Sequence, residues 1–392
     1  MASPSEPQPL LKIFHDILSK RRTASTLRSL TLTPPTSVDF SSNDFLSLST
    51  SPYLRDAFLQ ELHGTPSFRF GSGGSRLLDG NCAYAERLER DIAAFHNAPA
   101  GLLFNSGYDA NSGFFACVPQ KGDVVVFDEF AHASSREGMR LSRAGRCVGF
   151  RHNSVEALRE VLRDIIACDA LVKGGTRSVF VAVESVYSMD GDLAPLREFV
   201  ECLEEMLPGG NGYLVVDEAH ATGVVGPGGR GRVCELGIEG KTFARLHTFG
   251  KALACSGDQP SLAALTAPPP PQLSLHLFAL TKHLHTNLET LKPKCKDLAS
   301  DQVLLHLPAE VPRSPIFSLL TPEPRSLARY CQDGGFMVRP IVSPTVPVGK
   351  ERVRVCLHAG NTEAEIEGLV ARIEEWLDQI RVGKLRLGGP RL

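Results

Sequence analysis

Four apolar runs, each closed by polar residues, constrain the fold of this chain more than any other feature. They are "GDVVVFDEF", "SVFVAVESV", "GYLVVDEAH" and "LHTFGKA". A strand with one solvated face alternates apolar and polar side chains. The first three runs are instead continuous and rich in valine, which suits strands buried on both faces. Helical or turn segments lie between them, and that order implies a parallel sheet covered by helices on each side. The expected class is therefore α/β.

Other segments fill in the layout. "PLLKIFHDILSKRRTASTLRSL" has apolar residues at helical spacing and a basic cluster, which reads as an N-terminal amphipathic helix or arm. "SVDFSSNDFLSLS" follows as a short strand and turn, and Asn81 to Asn97 has the period and charged outer face of a surface helix. Near the end, Thr362 and Glu365 stand in a capping-box relation, with Ile366, Leu369, Ile373, Leu377 and Ile380 along one helical face. The stretch from Cys255 to Leu280 holds five prolines and reads as irregular. The expected organisation is an arm at 1–45, a large domain at 46–258, an irregular Pro-rich segment at 259–295 and a smaller domain at 296–392.

Bulk properties exclude several functions. The chain has 392 residues, long enough for a large core and two domains. Its 42 basic and 44 acidic side chains give a formal net charge of −2, without the basic excess of a nucleic-acid binder. No apolar run reaches membrane-spanning length, and the N-terminus lacks the basic-then-apolar order of a secretory signal. The ten cysteines have no CxxC or CxxH spacing, so reduced thiols are expected, with no metal site. A soluble intracellular protein is expected.

The letters DEAH, Asp217 to His220, raise the question of a nucleotide-driven motor. Such a motor also needs a phosphate-cradling loop ending in GK[ST]. The one similar stretch, "ELGIEGKT", has Glu235 where the first glycine belongs, so the motor reading fails.

In an open parallel sheet, ligands bind beyond the carboxyl ends of the strands. Three successive runs end in Glu184 and Ser188, in Asp217 and His220, and in Thr248 and Lys251. A lysine beside a carboxylate suits pyridoxal phosphate, the lysine forming the Schiff base and the acid pairing with the ring nitrogen. "FNSGYDAN", Phe104 to Asn111, offers the small residues and helix start that a phosphate requires.

With these residues in place, the chain resembles the α-oxoamine synthases, a family within the class-II pyridoxal-phosphate-dependent aminotransferases. The motifs "SSNDFLSLS", "GSGGSRLLDGN", "LFNSGYDAN", "HAS", "RHNS", "ESVYSMDGD", "VDEAHATGVVGPGGRGR", "TFGKA" and "SPTVPVGKERVRV" match in order over most of the chain. The resemblance implies a fold-type I transferase, whose large domain has a mostly parallel seven-stranded-type sheet and whose smaller C-terminal domain is α+β. It implies decarboxylative condensation of an amino acid with an acyl-CoA. L-Alanine and pimeloyl-CoA of biotin biosynthesis are the expected pair; a glycine or serine donor, a different acyl-CoA, or a non-catalytic relative are the alternatives. A homodimer is implied as well.

Carried over by position, the resemblance gives Lys251 as the Schiff-base lysine and proton carrier, and Asp217 as the partner of the ring nitrogen. His220 lies near the cofactor's phenolic oxygen, His132 stacks on the ring and Ser188 lines it. Gly107, Tyr108 and Thr248 hold the phosphate. Asn43 and Arg354 take the amino-acid carboxylate, with Arg339 and Arg352 as rival arginines. Arg28 and Thr345 meet the acyl substrate. After the lysine the family continues with a further strand, a helix and a loop, and a few tens of those residues have no counterpart here. The expected location is cytoplasmic; the C-terminal "PRL" loosely matches a peroxisomal address and keeps the peroxisome as the alternative.

Overall fold

A computed structural model describes residues 9–24, 26–27, 29–30, 32–65, 71–255, 271–296 and 302–382. In chain order the strands are β1 (Val38–Asp39), β2 (Val124–Asp128), β3 (Arg146–Phe150), β4 (Val179–Glu184), β5 (Gly212–Asp217), β6 (Ala244–Leu246), β7 (Ile316–Leu320), β8 (Phe336–Met337), β9 (Arg339–Ile341) and β10 (Arg352–Cys356). β2 to β6 form one sheet in the order β3-β2-β4-β5-β6, and every pairing in it is parallel.

The valine runs explain that sheet. Val124, Val126, Val181, Val183, Leu214 and Val216 belong to one buried cluster, which the helices Val155–Cys168 and Leu196–Met206 cover. The alternate residues Val125, Phe180, Ala182 and Val215 belong to another, against Phe115 of the helix Gly107–Cys117 and Met139 of the helix Ala133–Arg140. Both faces are thus apolar, which is why the runs do not alternate. Ser154 starts its helix by accepting from the Ala157 N–H at 3.1 Å.

A smaller antiparallel sheet, β7-β10-β9, packs against the helix Pro324–Asp333, which in turn packs against the helix Glu363–Arg381. The last helix carries the expected capping box between Thr362 and Glu365, and Ile366, Leu369, Ile373, Leu377 and Ile380 are all buried. The N-terminal segment is helical over Pro9–Thr23 with no residue buried, and β1 pairs with β8.

The structure adds detail to three expectations. The large sheet has five strands among the described residues where the resemblance implies seven, and β6 is one of its edges. The run "LHTFGKA" is not itself a strand: β6 ends at Leu246, and Thr248 bends the chain by accepting from the Gly250 N–H at 3.4 Å. The Pro-rich segment is not irregular throughout, because a helix occupies Pro271–Glu289. Its one proline is the first residue, where a helix tolerates the missing N–H. The remaining prolines of that run lie outside the described residues.

Candidate active site

β4 and β5 run side by side, and their register sets Glu184 against Asp217 at the carboxyl edge. The chain past β6 brings Thr248 and Lys251 to the same edge, because Asp217 is in register with Leu246. The Lys251 amine lies 2.9 Å from His220 Nε2. Burial pushes the Lys251 pKa down, with help from Arg354, against the pull of Asp217 and Glu184. His220 is buried, and burial, then the Lys251 and Arg354 charges, keep its pKa well below the ordinary histidine value.

Asp217 is held from two sides. Asn111 donates to one carboxylate oxygen at 2.7 Å, and the Ala219 N–H donates to the other at 2.9 Å. Glu184 beside it is wholly enclosed; burial first, and the Asp217 charge second, raise its pKa well above the usual range. The edge therefore favours the neutral form of one carboxyl beside another that is hydrogen-bonded.

The second acid of DEAH has a structural task. Glu218 is buried and accepts from the Arg232 N–H at 2.8 Å and the Val233 N–H at 3.0 Å. Burial raises its pKa to about 7 against those two bonds. The fit is close, because a methyl on Gly231 would lie 1.7 Å from the Glu218 carboxylate.

Gly107 opens the helix Gly107–Cys117, whose N-cap Ser106 accepts from the Asp109 N–H at 3.0 Å. A methyl on Gly107 would come within 3.0 Å of Thr248 Cβ, so this helix start faces the Thr248 loop with only a glycine's room between them. Tyr108 is exposed, and its ring centre lies 6.3 Å from that of His132. The His132 Nδ1 accepts from the Ser134 N–H at 3.2 Å and lies 2.7 Å from the Ser134 hydroxyl, which fixes the ring at the start of its helix. Ser188 is half-buried in the loop after β4.

Arg354 donates to the Asn43 side-chain oxygen at 2.7 Å, although the two are 311 residues apart. Its buried Nε has no partner among the described residues. Of the rivals, Arg352 is committed to an ion pair with Asp190, and Arg339 is exposed on β9. Thr345 is exposed, and Arg28 lies outside the described residues. Asn111 was quoted within a motif and given no role; its hold on Asp217 spans 106 residues, and no local pattern signals it.

These features fit pyridoxal phosphate. A desolvated lysine, a hydrogen-bonded Asp217, an unpartnered buried Nδ1 on His220 and a helix start that only glycine leaves open are the donor set this group requires.

The model of "aminotransferase class I and II" matches residues 35–259. The chain is 51% identical to the 8-amino-7-oxononanoate synthase of Emericella nidulans, over 97% of this chain and 99% of that one. It belongs to the pyridoxal-phosphate-dependent α-oxoamine synthases. It is an acyltransferase of that family, and pyridoxal phosphate is its cofactor. It is also 39% identical to the aminoacyl transferase sphA of Aspergillus fumigatus, over 88% of this chain and 81% of that one. The fold resembles serine palmitoyltransferase of Sphingomonas wittichii, with a TM-score of 0.77 at 24% identity, covering 97% of this chain and 100% of that one. Among the described residues no helix is long and apolar enough to cross a membrane.

Proposed function

We propose that the chain joins L-alanine to pimeloyl-CoA, releasing CO2 and CoA and giving 8-amino-7-oxononanoate. The observation that carries the product is the 51% identity, over nearly the whole of both chains, to a synthase of that name. Lys251, Asp217, His220, His132, Gly107, Tyr108, Ser188 and Thr248 are the proposed cofactor contacts, supported, for all but Ser188, by contacts at one sheet edge.

Bound there, pyridoxal phosphate supplies an electron sink for the charge left at the amino acid's Cα. Asp217, fixed by Asn111 and the Ala219 N–H, would face the ring nitrogen and hold a proton there. Arg354 and Asn43 bind and orient the alanine carboxylate, and the free Nε of Arg354 supplies the second tooth of a bidentate grip. The Lys251 amine, desolvated and so readily deprotonated, takes the Cα proton. His220 at 2.9 Å holds that amine in place. Once the new carbon–carbon bond forms and CO2 has left, Lys251 returns a proton to the same carbon. His132, fixed by Ser134, would cover the ring face and shield it from water.

Borohydride trapping followed by peptide mapping tests the attachment, and a digest with no pyridoxyl group on Lys251 refutes it. Thiol release from pimeloyl-CoA with L-alanine, compared with glycine and L-serine and with a long-chain acyl-CoA, tests the substrates. The 39% identity to an aminoacyl transferase favours the wider panel, and a preference for another pair replaces this assignment. A homodimer, with Thr345 and Arg28 as the residues that meet the acyl substrate, is part of the proposal, as is the large domain at 46–258 with a smaller one at 296–392. Light scattering checks the first. A fluorescent fusion with and without residues 390–392 separates cytoplasm from peroxisome.

A further inference from the structure

One cluster near His132 has no part in this scheme. Asp128 ends β2 and is fully buried, His152 follows β3, and Asp192 lies in the loop after β4. His152 Nδ1 is 2.9 Å from an Asp128 oxygen, and Nε2 is 2.8 Å from an Asp192 oxygen. Asn153 reinforces both links: its N–H donates to the other Asp128 oxygen at 2.8 Å, and its side-chain amide donates to Asp192 at 2.6 Å. A ring facing a carboxylate at each nitrogen has to donate from both, and only the imidazolium does so. Burial alone lowers its pKa, but Asp128 and Asp192 outweigh burial and push it up to about 10. Phe130 and Tyr187 close over the ring, with centres 4.5 and 4.4 Å away.

Chain paths lead from this cluster to the site. Past Asp128, the Phe130 N–H donates to its carboxylate at 2.8 Å and the Ala131 N–H to its carbonyl at 2.9 Å, so the turn into His132 is shaped by Asp128. On the other side, the Tyr187 N–H donates to the Asp192 carbonyl at 3.0 Å, and Ser188 lies between those two residues. Asp190 in the same loop pairs with Arg352, two positions before Arg354 on β10. One cation therefore ties together three loops whose neighbours are His132, Ser188 and the Arg354 strand.

We propose that His152, bridging Asp128 and Asp192 as a cation, is a positioning residue that sets His132 and Ser188 for the bound cofactor. The inference rests on the reading of the Lys251 pocket as the pyridoxal-phosphate site. An imidazolium suits the task because its two donors point in nearly opposite directions from a small rigid ring. Lysine has one ammonium on a flexible stem and cannot hold two carboxylates at fixed separation.

The test uses full-length His152→Gln and Asp192→Asn, with the cofactor dissociation constant, the visible circular dichroism of the loaded protein, and kcat and KM for L-alanine. The Asp192 side chain is 37% exposed, so its variant folds even if His152→Gln does not, and it then decides the matter alone. The expected result is cofactor binding weakened by about tenfold and a reduced dichroic band. It includes a fall in kcat with KM for alanine changed less than about threefold, since Asn43 and Arg354 are untouched. Affinity and dichroism within about twofold of wild type overturn the inference, as does a loss that only follows a lowered melting temperature. If the wild-type chain itself takes no cofactor at Lys251, the site reading fails first. If it does and the variants match it, this inference alone fails.

Discussion

Replacing Gly107 with alanine separates a phosphate cradle from an ordinary helix start. The added methyl would lie 3.0 Å from Thr248 Cβ and 3.2 Å from its hydroxyl oxygen. Carbon pairs prefer roughly 3.5–4.0 Å, so Thr248 has to retreat by about half an ångström. Gly107 is not among the residues with positive φ, and alanine is the better helix former by up to about 1 kcal/mol. The cofactor-free protein therefore keeps its unfolding midpoint or gains slightly. In the loaded protein the displaced hydroxyl forfeits a charge-assisted hydrogen bond of about 1.5–3 kcal/mol. At about 1.4 kcal/mol per decade, pyridoxal phosphate binds roughly 10- to 150-fold more weakly. An absorbance titration measures that constant, and scanning calorimetry of both forms measures the stabilities. A dissociation constant within about twofold of wild type refutes the cradle, and a large loss of cofactor-free stability refutes the steric reasoning.

Other substitutions probe different parts of the molecule. His152 gains a proton affinity in the fold, from the ordinary 6.5 up to about 10, so its stabilisation is complete below pH 6.5 and fades as pH rises towards 10. The difference in urea stability between wild type and His152→Gln, of order 4 kcal/mol at pH 6.5, therefore shrinks by pH 9.5. Tyr187, Asp128 and Asp192 face this ring and Glu129 accepts from the His152 backbone N–H, and all are kept in the variant. Gly231→Ala places a methyl 1.7 Å from the Glu218 carboxylate at a φ of +97°, which costs at least about 2 kcal/mol by thermal unfolding; an unchanged midpoint counts against the close fit. Arg354→Lys replaces a fork with a point charge and raises KM for the amino acid by about tenfold or more, with acyl-CoA KM as the internal control.

Much of this was legible in the sequence because its signals were local. Burial of both sheet faces forces continuous valine runs, and a capping box puts its two partners three residues apart, so strands and final helix could be read directly. The residues at the ends of those runs, on which the proposed site is built, could be read for the same reason. Contacts that join distant segments were not. Asn111 looks like an ordinary helical residue until the fold sets it 2.7 Å from Asp217. His152 looks like a loop residue, since its two carboxylates lie 24 and 40 positions away. The choice among Arg339, Arg352 and Arg354 was open because two of them alternate along one strand. The ion pair of Arg352 with Asp190 favours Arg354 in the proposed site.

The sheet edge explains how such a site can coexist with a shortened chain. The alignment with the Emericella relative has 415 positions but covers 97% of 392 residues, so about 35 positions face gaps in this chain. The resemblance places the missing stretch after Lys251, where a further strand would lie beyond β6. Each strand of a parallel sheet bonds only to its neighbours, so losing one outside β6 leaves the pairings of β2 to β6 unaltered. Asp217, Glu184 and His220 follow interior strands and keep their positions. Lys251 follows the edge strand, so fewer neighbours fix its loop. What fixes it among the described residues is local: the His220 contact at 2.9 Å, the Ala254 N–H donating to the Lys251 carbonyl at 2.9 Å, and the Cys255 N–H donating to the Phe249 carbonyl at 2.7 Å. The shortening thus bears on how firmly the Lys251 loop is held.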